Sequence, residues 1–220
     1  MRRVLCGGLL LFGAVAPVSA QYDLLHGGYS NEDESRFLPG LYNYRKGSEL
    51  FGKGDVKQAI EQWTVAASWA MKEAQYNLGI AYYKGEGIAA DRPLGLAWLA
   101  VAAERRNPEF SESLAAAWVD SSEDEHRRAN EIYARLLRRY GDQVALVRAK
   151  RHFNQELMQI AGSRVGLPGR VLIWTPAHGT YDVAIYRREL KALSEWNFDA
   201  LPKGHVSVGD LQIPPATDEE

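Results

Sequence analysis

Two glycines in the stretch Lys84-Gly85-Glu86-Gly87-Ile88 are the first feature of this 220-residue chain whose spacing suggests chemistry. A dinucleotide-binding loop has the pattern Gly-x-Gly-x-x-Gly between a strand and a helix, because its backbone must approach a pyrophosphate closely. Here the third glycine is absent and the preceding residues have helical periodicity. No Gly-Lys-Ser/Thr follows, which also excludes a P-loop. The pattern therefore predicts a tight turn between two helices, with positive φ at glycine.

Two histidines are the next candidates for catalysis or metal binding. His152 and Glu156 lie one helical turn apart, but zinc sites need three or four ligands and no His-Glu-x-x-His motif is present, so we expect a surface pair. His178, Thr180 and Asp182 have the residue types of a nucleophilic triad, yet no nucleophile elbow accompanies them. The sequence thus predicts no catalytic residue, no metal site and no cofactor.

The first twenty residues have the layout of a secretory signal peptide. A short basic start, Arg2-Arg3, precedes an apolar run from Val4 to Val15, and small residues end the segment at Ala20. The run is shorter than the ~20 apolar residues that a membrane-spanning helix needs. We therefore expect cleavage after Ala20, a periplasmic or secreted mature chain, and no stable membrane span after cleavage. The single cysteine, Cys6, would be lost with this segment, leaving no disulfide or thiolate site.

The charge balance argues against a nucleic-acid partner. The chain has 26 basic and 28 acidic residues, a formal net charge of −2, and removal of the two arginines in residues 1–20 makes it −4. Proteins that bind nucleic acid concentrate positive charge to neutralise phosphates. One basic stretch, Arg148 to His152, is short enough to be interpreted as a solvated helix face.

The middle of the chain contains a helical unit written twice. Trp63 and Trp98 are 35 residues apart, whereas Gly47 and Gly79 in the preceding helices are 32 apart, so the first unit has a turn three residues shorter. A glycine on the apolar stripe of a helix costs about 1 kcal/mol relative to alanine, which predicts that Gly79 is there to let a second helix approach closely. Asp91 is expected to cap that second helix.

The second unit resembles a Sel1-like repeat, a relative of the tetratricopeptide repeat with a longer turn. The resemblance rests on a motif of eleven residues: Ala74, Leu78, Gly79, Tyr82, Gly85, Gly87, Asp91, Ala97, Trp98, Ala102 and Ala103. It implies a mainly α fold, namely a short α-solenoid of Sel1/tetratricopeptide-like helical hairpins with a small β-containing C-terminal appendage. Gly95 and Leu96 stand where the family often has Lys-Ala, and we expect Gly95 to loosen the second helix slightly.

The predicted organisation has five parts. These are a signal peptide at 1–20, a flexible lead-in at 21–40, a repeat domain at 41–161 with units at about 42–72, 73–107 and a divergent 108–161, an α/β appendage at 163–213, and a disordered tail at 214–220. A capping box, Ser122-x-x-Glu125, is expected to start the long helix of the third unit. In the appendage, residues 170–175, 181–186 and 205–213 have strand-like patterns, and residues 187–196 a helical one.

The resemblance also implies a binding surface. In tetratricopeptide-like proteins the first helix of each pair lines a concave groove, and the matching positions here are mostly aromatic: Tyr44, Ser48 and Phe51 in the first unit, and Tyr76, Ile80 and Tyr83 in the second. Aromatic side chains in a preformed groove suit peptide recognition. The alternative, that they pack against the flanking helices or the tail, is equally open at this point.

These features predict a non-enzymatic, exported scaffold or adaptor of the bacterial cell envelope that binds another protein or a peptide without a cofactor. One alternative is an envelope enzyme of the Sel1-like β-lactam hydrolase kind, although that group is rich in cysteine and the predicted mature chain has none. Another is a structural protein that binds cell-wall glycan through Trp174 or Trp196.

Overall fold

The computed structural model describes residues 35–160, 172–175 and 179–199. Within these ranges the chain forms eight α-helices, a short 3-10 turn at Ala103–Arg105 and one two-stranded sheet. The predicted signal peptide, the predicted strand at 205–213 and the predicted disordered tail lie outside the described residues. The helices are α1 (Pro39–Gly52), α2 (Val56–Ala67), α3 (Lys72–Lys84), α4 (Arg92–Ala102), α5 (Pro108–Val119), α6 (Glu123–Tyr140), α7 (Ala145–Gln159) and α8 (Val183–Asp199).

The first four helices form the two predicted hairpins, because α1 packs on α2 and α3 packs on α4. The next helix, α5, packs on α4. Helix α6, which follows α5 after a short turn, also packs along α4. The predicted mainly α fold of successive helical hairpins with a small β appendage is therefore confirmed.

Equivalent glycines bring the helices of both hairpins together. A Cβ atom built on Gly79 would lie 2.7 Å from Cγ of Leu99, and one on Gly47 would lie 2.5 Å from Cδ1 of Trp63. Both distances are far below van der Waals contact, so only glycine fits without a shift of the neighbouring helix. The close approach expected at Gly79 is confirmed, and the first hairpin uses the same device.

Gly95 has a different role from the one expected. A Cβ atom on it would lie 2.5 Å from the backbone nitrogen of Tyr83 and 2.7 Å from its Cα. The residue therefore permits a second backbone contact between α3 and α4. The expectation that it loosens α4 is wrong, because its missing side chain is what brings the two helices together.

Side-chain caps start α4 and α6 at the positions expected from local sequence. Asp91 Oδ1 accepts the Leu94 N–H at 3.1 Å, and Ser122 Oγ accepts the Glu125 N–H at 3.3 Å while Glu125 Oε2 accepts the Ser122 N–H at 2.8 Å. Asp55 caps α2 in the same way through the Gln58 N–H. Each cap satisfies donors that the helix itself cannot pair.

One core runs through most of the described chain. It begins at Phe37 and Leu41, includes the two repeat tryptophans Trp63 and Trp98, and continues to Leu190 of α8. Phe37 is buried and α1 begins at Pro39, so ordered structure starts before residue 41, where the repeat domain was expected to begin. A second, smaller cluster lies between α4, α5 and α6.

The C-terminal appendage is a β-hairpin followed by a core helix. Strand β1 (Leu172–Thr175) pairs antiparallel with β2 (Gly179–Asp182). The strand predicted to reach Tyr186 ends at Asp182, because Asp182 Oδ1 accepts the Ala184 N–H at 2.8 Å and so starts α8. Helix α8 buries four side chains in the main core: Val183, Tyr186, Leu190 and Leu193.

None of the helices in the described ranges is long and apolar enough to cross a membrane.

Candidate functional site

The first backbone donors of the Gly85–Gly87 turn are used to close the preceding helix. Gly85 and Gly87 have φ of +74° and +72°, as expected for a tight turn. The N–H groups of Gly85 and Glu86 both donate to the Ala81 carbonyl, at 2.9 and 3.1 Å, and the Asp91 N–H donates to the Tyr82 carbonyl at 2.9 Å. These donors close the end of α3. The prediction of an inter-helix turn is confirmed.

The His152–Glu156 pair holds the start of the described chain to α7. Glu156 Oε2 accepts Arg36 Nε at 2.8 Å, and His152 Nε2 lies 2.7 Å from the Arg36 carbonyl. Among the described residues no group of three or more metal-ligating side chains comes together. Of the proposed triad, His178 lies outside the described residues.

Of the five residues predicted to form a partner-binding groove, three lie on α3 and face α5. The Tyr76 ring stacks on Phe110 with centroids 4.9 Å apart and planes 22° apart, and its hydroxyl lies 3.3 Å from Ser113 Oγ. Ile80 packs against the smaller core cluster. The α3 side of the predicted groove is thus half-buried by the next helix.

Tyr83, the third of these residues, is held by a polar cluster at the α5–α6 turn. The Arg92 guanidinium lies 4.4 Å above the Tyr83 ring, and Arg92 Nη2 donates to the Tyr83 hydroxyl at 2.8 Å. That hydroxyl also lies 2.9 Å from Asp120 Oδ2, and Arg92 Nε contacts Glu125 at 2.9 Å. Tyr83 therefore helps to fix the third hairpin against the second.

Of the two α1 residues of the predicted groove, Phe51 is exposed and Tyr44 is half-buried. Phe51 is 37% exposed, and its ring packs beside that of Trp63 at 5.3 Å. Tyr44 is half-buried, and burial, reinforced by the nearby Glu73 carboxylate, raises its pKa to about 12. The neutral hydroxyl of Tyr44 is therefore retained at any physiological pH.

The five residues do not form one bare aromatic strip. Tyr44 packs against the main core and Tyr76, Ile80 and Tyr83 against the smaller one. The side chains contact the flanking helices, as the packing alternative expected, and they still keep exposed surface. Their role in binding a partner stays a prediction.

A buried polar network connects the hairpins to α8. Lys72 is 4% exposed, and its Nζ donates to the Val101 carbonyl at 2.8 Å and to Glu104 at 2.6 Å. Arg105 Nε and Nη2 donate to the two oxygens of Asp142 at 2.7 and 3.0 Å, and Nη1 donates to the Asn197 carbonyl at 3.2 Å. The network joins α3, the end of α4, the α6–α7 turn and α8.

The Asp142 carboxylate is the acid most strongly held in this network. Burial alone would raise its pKa, but the hydrogen bonds and charges of Arg105 and Lys72 outweigh burial and lower the pKa. Glu73 nearby has the opposite shift, because its burial raises the pKa more than Arg105 and Lys72 lower it. The cations and acids of the network have partners inside the chain, so we assign the network a structural role and not a role in ligand binding.

A cleft with a volume of about 590 Å³ lies between α7 and α8. Its floor is apolar, made by Phe153, Leu157 and Phe198. Four cations stand around it, Lys150 on α7 and Arg187, Arg188 and Lys191 on α8, against a single carboxylate, that of Glu195. Because the chain as a whole is mildly acidic, this concentration of positive charge is a local feature.

Sequence reasoning missed this cleft, although part of its signal is visible. Lys150, Phe153 and Leu157 recur at three- and four-residue spacing along α7. Arg187, Lys191 and Phe198 follow one another at spacings of four and seven residues along α8. The basic stretch 148–152 was expected to be a solvated helix face, and for Arg148 the structure instead shows a hydrogen bond to the Ser68 carbonyl at 2.7 Å. Only the packing of α7 beside α8 places the two basic faces around one recess.

Trp174, one of two tryptophans considered for glycan binding, is 73% exposed on β1. Leu172, two residues earlier and on the same face of the strand, is 56% exposed. The glycan hypothesis stays a prediction.

Comparison with known proteins gives one structural neighbour. No family model matches the sequence, and no curated protein matches it. A search of solved structures finds a protective antigen present in uropathogenic Escherichia coli strains, which displays an SLR fold. The TM-score is 0.43 and the identity 22%, and the match covers 60% of this chain and 27% of that chain. This chain thus spans about a quarter of the antigen's length, and the architecture of helical hairpins described above rests on the packing of its own helices.

Proposed function

We propose that this protein is a non-catalytic scaffold of helical repeats that binds a segment of another protein along the face formed by α1, α3 and α5. The observation that supports the proposal most is Phe51. It is a large aromatic side chain near the end of α1 and is 37% exposed. The half-buried Tyr44 lies about two helical turns earlier on the same side of α1. Exposed aromatic residues beside a rigid, well-packed helix pair are suited to be anchors for a partner.

The helices under this face make it a preformed surface. Close glycine contacts fix α1 on α2 and α3 on α4, and side-chain caps fix α2 and α4 at their starts. A surface that is ordered before binding loses little conformational entropy when a partner arrives. The α3 side of the face, with Tyr76 and Asn77 half-buried, would supply polar contacts next to the aromatic anchor.

Site-specific photo-crosslinking tests the proposal. A benzophenone amino acid replaces Phe51 in one variant and Val65 in a control variant, since Val65 is 43% exposed on α2 and so equally accessible. We expect irradiation in cell-envelope extract to give one specific covalent adduct from position 51 and none from position 65. Equal labelling at both positions, or no adduct from a correctly folded position-51 variant, would count against this face.

Export to the bacterial envelope is part of the same proposal and rests on residues 1–20. Expression of the full chain in a Gram-negative host, followed by periplasmic extraction and N-terminal sequencing, is expected to give a chain that starts at Gln21. An intact Met1 in the cytoplasmic fraction would contradict it.

A further inference from the structure

The cleft between α7 and α8 differs from the α1–α3–α5 face in both charge and shape. It is recessed between two helices, and the side chains of three of its cations, Arg187, Arg188 and Lys191, make no hydrogen bond or ion pair within the described part of the chain. Positive side chains that outnumber the carboxylates around them raise the local potential and attract anions. The cleft therefore has unused binding capacity.

The floor of the cleft requires more than a simple anion. Phe153 is buried to 3% exposure at the base, and the half-exposed Leu157 and Phe198 extend the apolar surface on either side. An apolar group placed there would leave water and gain about 25 cal/mol for each Å² buried. The matching ligand has negative charges arranged around an apolar side chain.

We propose that the α7–α8 cleft binds an acidic peptide segment of a partner protein, with an aromatic or aliphatic side chain on the Phe153–Leu157–Phe198 floor and flanking carboxylates on Arg187, Arg188 and Lys191. A chain fits a recess that runs between two helices, and Asn154 at its edge offers an amide for the peptide backbone. This site goes beyond the α1–α3–α5 face and does not depend on it.

Two other polyanionic partners fit the recess less well. A membrane surface is flat and contacts outward-facing apolar residues, whereas the floor here lies between helices. Nucleic acid requires a protein surface that neutralises many phosphates, and the chain carries a net charge of −2. Both remain as outcomes that the experiment distinguishes.

Fluorescence anisotropy with a defined probe tests the proposal. The probe is the labelled peptide Asp-Glu-Asp-Phe-Glu-Asp-Leu-Asp-Glu, and its control has serine in place of Phe and Leu. With the full chain, we expect saturable binding that weakens as salt rises, because salt screens the rim charges. The serine peptide is expected to bind at least fivefold more weakly, and equal affinity for the two peptides would overturn the role of the floor.

Two charge-matched variants locate the binding. Arg187→Gln/Arg188→Gln removes two cations from the rim, and Arg135→Gln/Arg138→Gln removes two exposed cations from α6. The first variant is expected to bind the probe about fivefold more weakly, the loss that two solvent-exposed ion pairs would give, and the second to bind as the unaltered chain does. The same loss in both variants, with circular dichroism showing intact helices, would overturn the assignment to this cleft.

The remaining arms test other occupants. The first alternative is a lipid surface. It would be supported if the peptide failed to bind and the chain sedimented more strongly with phosphatidylglycerol vesicles than with phosphatidylcholine vesicles. The Arg187→Gln/Arg188→Gln variant would then have to lose this preference. If a labelled single-stranded oligonucleotide bound more tightly than the peptide probe, the ligand of the cleft would instead be nucleic acid. A chain lacking residues 214–220 that binds the probe tenfold more tightly would assign the cleft to the acidic residues Asp218, Glu219 and Glu220 of the same chain. Each of these results overturns the proposal.

Discussion

At the scale of single residues, the most informative positions are those without a side chain. Gly47 and Gly79 occupy equivalent places in the two hairpins, and each faces a large residue of the partner helix at a distance that admits no Cβ. Their role was predictable, because a glycine on the apolar stripe of a helix needs a packing reason to offset its cost. Gly95 was misjudged because its contact is with the backbone of Tyr83 in another helix, twelve residues earlier in the chain.

Gly79→Ala is expected to destabilise the protein by about 1–3 kcal/mol, because overpacking against Leu99 outweighs the gain in helix propensity of about 1 kcal/mol. Urea unfolding followed by circular dichroism measures the change. Gly52→Ala is the matched control, since a Cβ at this last residue of α1 meets nothing within 4 Å. If both variants unfolded at the same urea concentration, the close-contact explanation would be wrong.

At the scale of elements, local signals placed the repeat helices well and the C-terminal helix poorly. Caps at Asp91 and Ser122 mark helix starts through residues three positions away, so sequence alone identifies them. The run Tyr181 to Tyr186 contains β-branched and aromatic residues in a short apolar segment, which periodicity alone assigns to a strand as readily as to a helix. The Asp182 cap and the burial of Tyr186 against Phe37, with ring centroids 6.2 Å apart, decide for a helix.

Helix α8 is expected to be a required part of the fold. Leu190 is 1% exposed in the main core, so Leu190→Ala should lower the free energy of unfolding by about 2–5 kcal/mol. Leu172→Ala, at a site 56% exposed on β1, is the control and should change it by less than about 0.5 kcal/mol. Guanidinium titration measures both. A Leu190 variant as stable as the control would mean that α8 is a separate appendage.

At the scale of the whole molecule, packing between distant segments determines what the sequence could not reveal. Periodicity placed Tyr76 and Tyr83 on one face of α3, but their partners on α5 lie 37 and 34 residues away, respectively. The α7–α8 cleft depends in the same way on two helices separated by the β-hairpin. Periodicity locates the face of a helix, and tertiary contacts choose what that face meets.

The network around Asp142 should give the molecule a defined response to acid. A carboxyl group whose pKa is lower in the folded state than its unfolded value of about 3.9 contributes stability above that pH, and the contribution is lost as pH falls through the folded pKa. Stability should therefore fall below about pH 4. Asp142→Asn should lower stability at pH 7, because Arg105 and Lys72 each lose one charged partner, and should flatten the loss below pH 4. Urea titrations between pH 2 and pH 7 measure both effects, and parallel pH profiles would contradict them.

The contact between Gly47 and Trp63 also has an optical consequence. Trp63 is 3% exposed, and its indole nitrogen is buried without a hydrogen-bond partner among the described residues. An indole in such surroundings emits at shorter wavelength than one in water, whereas Trp174 is 73% exposed and emits as a solvated side chain. A chain that keeps only Trp63 would thus carry its own fluorescent reporter in the first hairpin, next to Phe51, and a partner seated on that residue would be seen as a change in its emission.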